Sequence, residues 1–328
     1  MRPLARFVLS LAVVLAGHAA AAELHGAGAT FTAPVYARWA QAGASACGCT
    51  LRYDAVGSGL GLERVERGEV DFGASDVALE APELERHGLR QFPAVIGAVV
   101  PVVHIDGLAP GVLALDAATL SAIYRGVIRK WDDPAIAALN RGVPLPDAHI
   151  TVVHREDASG TTDLFSRWLA RGDDAWRAEV GRGPALKWPA GIAGRGNEGV
   201  ASLVQRTRWS IGYVEYAYAR RHGLADVVLP ASEGTRVRAG RESFEAAVRG
   251  ARWQGPADLA QDLTGAPGPA SWPIVGASYV LVPVGKPATA DVLRFFRWGL
   301  ESGGAEASGL DYVPLPAAAV KLAEPLLR

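Results

Sequence analysis

Residues 149–170, HITVVHREDASGTTDLFSRWLA, have the strand, turn and helix pattern from which layered α/β folds are built. The apolar run at the start predicts a strand, and EDASG predicts a turn. The spacing of Leu164, Phe165, Trp168 and Leu169 puts them on one face of a helix. The stretch therefore predicts a strand that leads through a polar turn into a helix.

The polar turn carries groups that suit an anion. Ser159, Gly160 and Thr161 lie at the predicted helix N-terminus, where free amides and the helix dipole attract oxyanions. Gly160 would let the backbone approach a ligand closely. Arg155 offers a planar guanidinium group, which Asp157 could hold in place. A plain helix cap without a ligand remains the alternative, because serine and threonine often cap helices.

The same arrangement occurs twice more. In residues 26–39, GAGATFTAPVYARW, the pair Thr30 and Phe31 precedes a predicted helix. In residues 54–65, DAVGSGLGLERV, Ser58 lies between two glycines just before another predicted helix. Three helix starts rich in hydrogen-bond donors strengthen the case for an anion site.

Asp76 ends the predicted strand VDFGASD, an unusual position for a carboxylate beside an anion site. Phosphate near neutral pH keeps a P–OH group that can donate to a carboxylate, whereas sulfate keeps none. Asp76 therefore favours phosphate over sulfate or molybdate. A turn or helix-capping role is the alternative for this residue.

Length and composition predict a globular protein of two lobes. The chain has 328 residues, of which 49% are hydrophobic and 20% charged. Strand-like and helix-like segments alternate, and no Gly/Ser-rich linker separates two domains, so crossing strands are expected to join the lobes. We expect lobe 1 to comprise residues 23–101 and 275–328, and lobe 2 residues 102–274.

The N-terminus predicts a signal peptide over residues 1–22. Two arginines precede a short apolar run, and Ala20 to Ala22 offer an A-x-A cleavage site. His18 stands where a lipid-anchored protein would need a cysteine, so we expect a soluble periplasmic protein. Cleavage would remove two arginines and no acid, which changes the formal net charge from −1 to −3. That charge does not favour nucleic acid as a partner.

Cys47 and Cys49 are the only cysteines. In an exported protein they favour a local disulfide, and two free thiols are the alternative. No spacing suggests a zinc site.

The motifs together resemble the periplasmic phosphate-binding proteins of bacterial phosphate ABC transporters. The similarity covers the expected mature chain and runs through these segments: GAGATFTAPVYARWA, VGSG, VDFGASD, FPAVIGAVV, KWDDPAIAALN, GNEGVASLVQR, IGYVEYAYA and LDYVPLP. It implies a two-lobe periplasmic binding protein fold of type II, with hinge strands and a ligand cleft. It also implies a monomer that passes inorganic phosphate to a membrane permease, without a cofactor or enzymatic activity.

The resemblance also implies the ligand residues. They are Thr30, the amide of Phe31, Ser58, Asp76, Arg155, Ser159, Gly160 and Thr161, with Asp157 orienting the arginine. One departure follows Ser58, where the family pattern has a second serine and paired glycines. This chain has Gly59, Leu60 and Gly61 there.

Three alternative functions have weaker support in the sequence. A dinucleotide-binding fold is disfavoured because Leu62 stands where the motif requires its third glycine. A secreted phosphatase would need a metal cluster or a nucleophile with a base, and the seven histidines are scattered. A binding protein for another oxyanion remains the nearest alternative, and Asp76 argues against it.

Overall fold

The computed structural model describes residues 22–328, so the predicted signal peptide lies outside the described residues except for Ala22. The chain forms a mixed α/β fold, as predicted. Its described strands are β1 (Ala22–Gly28), β2 (Cys49–Ala55), β3 (Phe72–Ser75), β4 (Leu89–His104), β5 (Thr151–Arg155), β6 (Ile192–Gly194), β7 (Ser210–Glu215), β8 (Ala225–Asp226), β9 (Leu229–Pro230), β10 (Arg236–Val237) and β11 (Val275–Pro283).

Helices pack around these strands. The described helices are α1 (Ala33–Cys47), α2 (Ser58–Glu66), α3 (Ala81–His87), α4 (Ala117–Tyr124), α5 (Pro134–Leu139), α6 (Gly160–Gly172), α7 (Asp174–Glu179), α8 (Gly196–Arg206), α9 (Tyr216–Arg221), α10 (Arg241–Arg249), α11 (Thr289–Glu301), α12 (Gly304–Ser308) and α13 (Ala317–Ala323). Short 3₁₀ helices cover Thr30–Thr32, Pro256–Ala260 and Glu324–Leu327. Over residues 22–328, no helix combines the length and apolar character that crossing a membrane requires.

Strand β4 joins the two halves of the molecule. One half contains β1, β2, β3 and β11, and the other contains β5, β6, β7 and β8. The sheet order is β2-β1-β3-β11-β4-β7-β5-β6, with β8 also paired to β4. The first part of β4 pairs with β11 up to Ala98, and the remainder, from Val99, pairs with β7. Both pairings are antiparallel. A single long strand thus crosses between the halves, as the absence of a flexible linker predicted. The predicted lobe boundaries themselves stay a prediction.

The topology brings the predicted site residues to one region. Strands β2, β1 and β3 are parallel neighbours, and their carboxyl ends lead to Ser58, Thr30 and Asp76. In the other half, β5 ends at Arg155 and runs parallel to β6 and β7. Ligands of open α/β sheets commonly bind beyond such strand ends.

An aromatic cluster holds α11 against the sheet. The ring of Phe296 lies 5.0 Å from the ring centre of Phe72, 5.3 Å from that of Tyr36 and 6.0 Å from that of Phe92. These residues belong to β3, α1 and β4, and all four are essentially buried. The cluster therefore supports the strand and helix next to Thr30 and Asp76.

The two cysteines form a disulfide. Cys47 ends α1 and Cys49 begins β2, and their sulfur atoms are bonded. The bond closes the tight turn between the two elements, in agreement with the expectation of a local disulfide.

A buried carboxylate lies between the two halves. Glu215, at the end of β7, accepts a hydrogen bond from the amide of Ala217 (3.0 Å), and its Oε2 forms a second hydrogen bond with the hydroxyl of Tyr312 (2.9 Å). Its Oε1 atom has no hydrogen-bond partner among the described residues. Burial raises the pKa of Glu215 to about 8, although these two hydrogen bonds oppose the shift.

Phe296→Ala is expected to lower the free energy of unfolding by about 3–5 kcal/mol, because it opens a cavity in the aromatic cluster. Urea denaturation measures the change. Val284→Ala is the control, since Val284 is 58% exposed and its truncation should cost less than about 0.5 kcal/mol. Equal losses in the two variants would contradict the packing role of Phe296.

Glu215→Gln is expected to make stability less dependent on pH. With its raised pKa, Glu215 keeps its proton in the folded state and loses it in the unfolded state between about pH 4.5 and 8. The folded state therefore binds more protons, and stability falls as pH rises through that window. The free energy of unfolding, measured by urea denaturation at several pH values, should depend on pH with a slope about 1.4 kcal/mol per pH unit shallower in the variant. Parallel curves for the two proteins would show that Glu215 is ionised when buried.

Candidate functional site

The structure brings all eight predicted ligand residues together. They lie at the carboxyl ends of the strands in both halves, and all are buried: Thr30, Phe31, Ser58, Asp76, Arg155, Ser159, Gly160 and Thr161. The two halves touch directly here. The amide of Gly59 donates to the carbonyl of Ala158 at 3.1 Å. The result is a buried polar cluster that is built from both sides.

Arg155 is fixed by a two-pronged ion pair. Its Nε donates to Asp157 Oδ1 at 2.8 Å, and its Nη2 donates to Asp157 Oδ2 at 2.5 Å. Burial alone would raise the pKa of Asp157, but the Arg155 guanidinium outweighs it and holds the pKa below its usual value. The remaining nitrogen, Nη1, donates to the hydroxyl of Thr161 at 3.1 Å. The predicted orienting contact between Asp157 and Arg155 is present in this geometry.

The start of α6 supplies both a cap and free donors. Ser159 is the N-cap, and its Oγ accepts from the amide of Thr162 at 3.1 Å. The hydroxyl proton of Ser159 stays available, so the capping role and a ligand role are compatible. A Cβ atom on Gly160 would lie 2.4 Å from the Cβ of Asp76. Only glycine permits this approach of α6 to the other half.

Ser58 contacts both halves. It is the first residue of α2, whereas the sequence placed it just before the helix. Its Oγ accepts from the amide of Asp76 at 3.3 Å and from the amide of Gly160 at 3.2 Å. A Cβ on Gly59 would lie 2.6 Å from the Cβ of Ala158. The glycine that departs from the family pattern thus allows α2 to pack closely on the turn before α6.

Thr30 and Phe31 occupy a 3₁₀ turn that precedes α1, a feature that the sequence did not predict. Two tyrosines fix this turn from outside. Tyr218 donates to the carbonyl of Thr30 at 2.7 Å, and Tyr312 donates to the carbonyl of Phe31 at 2.5 Å. The Phe31 ring packs edge-on against Tyr312. The amides of the turn are therefore held in one orientation.

Asp76 is a buried acceptor that has one side-chain donor among residues 22–328. Its Oδ1 accepts from the hydroxyl of Ser278 at 2.7 Å. The pairing of β11 with β4 is irregular between Ser278 and Tyr279, and such bulges re-aim side chains. Burial raises the pKa of Asp76 to about 7, against the opposing effects of Ser278 and Arg155. A group with that pKa can exchange a proton with a ligand near neutral pH.

Two further residues belong to the cluster, and the sequence analysis missed both as site residues. One is Ser278. The other is Asn197, at the start of α8, which is fully buried and contacts Thr30 and Thr161. Asn197 belongs to the segment GNEGV, a glycine-flanked polar residue before a helix. That pattern matches the three helix starts already recognised and could have identified it.

The chemistry of the cluster suits an oxyanion. Hydroxyl groups, helix-start amides and one guanidinium provide donors, and Asp76 provides a protonatable acceptor.

His154, next to Arg155, points to the other face of β5, as strand alternation requires. Its ring stacks on Trp188 at 4.9 Å. Among residues 22–328, no group of three or more His, Cys, Asp or Glu side chains is arranged to hold a metal ion.

Comparison with known proteins places the chain in a family. Residues 15–297 match the model of the PBP superfamily domain. The phosphate-binding protein PstS of Haemophilus influenzae is 42% identical over 320 residues, which is 97% of this chain and 95% of the relative.

Solved structures share the fold. One is a high-affinity periplasmic phosphate-binding protein with bound phosphate, which is 22% identical and has a TM-score of 0.74 over 92% of this chain and 93% of its own. Another is a candidate phosphate ABC transporter substrate-binding protein from Clostridium perfringens with bound phosphate. It is 19% identical, with a TM-score of 0.66 over 90% of this chain and 100% of its own. At these identities the likeness shows the fold alone. The sequence match carries the assignment: the chain belongs to the PBP superfamily and, within it, to the family of the PstS phosphate-binding proteins.

Proposed function

We propose that the protein is the extracytoplasmic substrate-binding protein of a phosphate ABC transporter and that it captures inorganic phosphate in the buried cluster. The names of its relatives and the phosphate bound in structures of the same fold support this function. Its role is binding and delivery without catalysis. The proposed ligand residues are Thr30, Phe31, Ser58, Asp76, Arg155, Ser159, Gly160 and Thr161, with Asp157 holding the arginine.

The observation that carries the proposal is the pairing of many donors with one acceptor. Three oxygens of a tetrahedral phosphate would accept from hydroxyls, amides and Arg155. The P–OH group would donate to Asp76. The amide of Gly160 donates to Ser58 Oγ in this structure, and it would donate to the anion instead when the anion is bound. Burial strengthens each of these bonds relative to water.

Binding would be coupled to closure of the two lobes. We place lobe 1 at residues 23–101 and 275–328 and lobe 2 at residues 102–274. Thr30, Ser58 and Asp76 come from the first lobe, and Arg155 and the start of α6 come from the second. An anion held by both lobes stabilises the closed form over the open form.

The cellular setting is part of the proposal. A signal peptide over residues 1–22 would export the chain to the periplasm without a lipid anchor. There it would act as a monomer and dock on the membrane permease subunits of the transporter. Neither a cofactor nor nucleic acid takes part.

Other oxyanions and phosphate esters are the competing ligands. A sulfate or molybdate carrier would gain nothing from the buried carboxylate of Asp76, because these anions carry no proton to donate near neutral pH. A phosphatase would need an activated nucleophile, and the histidine beside Arg155 stacks on Trp188 instead.

Calorimetric titration with phosphate, arsenate, sulfate and molybdate tests the function. Phosphate and arsenate should bind, because both keep a proton, whereas sulfate and molybdate should not compete. A chromogenic phosphate ester should show no turnover. Tight binding of sulfate, or no binding of phosphate, would overturn the proposal.

Asp76→Asn is expected to narrow the affinity ratio of phosphate to sulfate. The amide removes the negative charge that repels sulfate and offers a donor where phosphate needs an acceptor. A change of about tenfold or more in the ratio is expected from the hydrogen bond to a charged group. Asp226→Asn is the matched control, since Asp226 is also buried but lies on β8. An unchanged ratio in Asp76→Asn would remove the carboxylate from the selectivity mechanism.

A further inference from the structure

Asn197 makes hydrogen bonds to one proposed ligand residue from each lobe. Its backbone amide and its side-chain Nδ2 both donate to Thr30 Oγ1, at 3.1 and 2.9 Å. Nδ2 also donates to Thr161 Oγ1 at 3.2 Å. The two hydrogens of Nδ2 can therefore serve two hydroxyls at once, one on each side of the site.

The donation by Asn197 fixes what the two hydroxyls can do. A threonine hydroxyl has two lone pairs and one proton. Thr30 Oγ1 accepts two hydrogen bonds from Asn197, and Thr161 Oγ1 accepts one from Asn197 and one from Arg155 Nη1. Both lone pairs of each oxygen are then occupied. Each hydroxyl can make a further hydrogen bond only by donating its proton.

The direction of the Asn197 amide is itself fixed. Its Oδ1 accepts from the backbone amide of Glu215 at 2.9 Å. A flipped amide would bring its NH₂ group against that N–H, and its oxygen would then face the hydroxyls. The contact with β7 therefore sets which end of Asn197 faces Thr30 and Thr161.

We infer that Asn197 is a positioning residue for anion binding: it occupies the lone pairs of Thr30 and Thr161 and so commits both hydroxyls to donate to the ligand. This inference rests on the proposed function. It adds a selectivity element, because a ligand group that can only donate finds no acceptor at these two hydroxyls. Asp76 is then left as the acceptor for the proton of the ligand.

The first test is a double-mutant cycle, measured by phosphate calorimetry. Asn197→Ala should weaken phosphate binding by about tenfold or more, since both hydroxyls regain freedom to point elsewhere. In a Thr30→Val/Thr161→Val background, the same substitution should cost little, because the groups through which it acts are gone. A loss that persists undiminished in that background, or wild-type affinity in Asn197→Ala, would overturn the inference.

The second test uses Asn197→Asp, which keeps the shape and the contact with Glu215 but replaces the NH₂ donor with oxygen. At pH 8 its carboxylate would accept hydrogen bonds from the hydroxyls of both threonines. This variant should then bind phosphate most weakly of the series. As pH falls towards 5 the acid regains a proton, and its affinity should recover relative to the wild type measured at each pH. A defect that is equal at every pH would contradict a donor role.

Three controls separate the possible failures. Asn140→Asp alters another buried asparagine, whose side-chain amide forms its hydrogen bonds within residues 22–328 with backbone groups of Ala114 and Ile136, and should keep phosphate affinity. Thermal melting of the ligand-free variants reports whether they fold. If Asn197→Ala does not fold, Asn197→Ser, which keeps one donor, takes its place and should bind phosphate more weakly than the wild type. Failure of the wild type to bind phosphate would defeat the proposed function, whereas binding by wild type and all variants alike would defeat this inference alone.

Discussion

The ion pair between Arg155 and Asp157 is the interaction on which the site depends. It places the one buried cation of the site at the end of β5 and leaves Nη1 facing Thr161. Asp157 Oδ1 also accepts from the amide of Gly196 at 2.9 Å, which fixes the start of α8 and so the position of Asn197. Removal of one partner from a buried ion pair costs about 3–5 kcal/mol. One carboxylate thus orders the end of β5 and the start of α8.

Because Asp157 already neutralises the positive charge of Arg155, an anion bound here must be stabilised mainly by dipoles. Amide groups at the starts of α1, α2 and α6 and the threonine and serine hydroxyls carry that task. A dipole is effective only when it points the right way, so residues that fix orientation matter as much as those that touch the ligand. Tyr218, Tyr312 and Asn197 are of this kind.

The parts of the site that lie close in sequence could be predicted, and the parts that depend on packing could not. Arg155, Asp157 and Ser159 belong to one turn, so their pattern is visible in a single stretch. Ser278 reaches Asp76 from 202 residues away, through a bulge whose position depends on the pairing of β11 with β4. The order of the strands follows from the same long-range pairing. Local patterns reveal which groups start a helix but not which of them meet.

The position of β11 also constrains how the chain can fold. This late strand lies between β3 and β4, so the parallel strands β1 to β3 are not joined to the rest of the sheet until it arrives. Pairings over such long stretches of chain form slowly. The strands between β4 and β8 pair among themselves and can assemble earlier. A newly synthesised chain would therefore complete the part that contains β4 to β8 first, and it could capture no anion until β11 had docked.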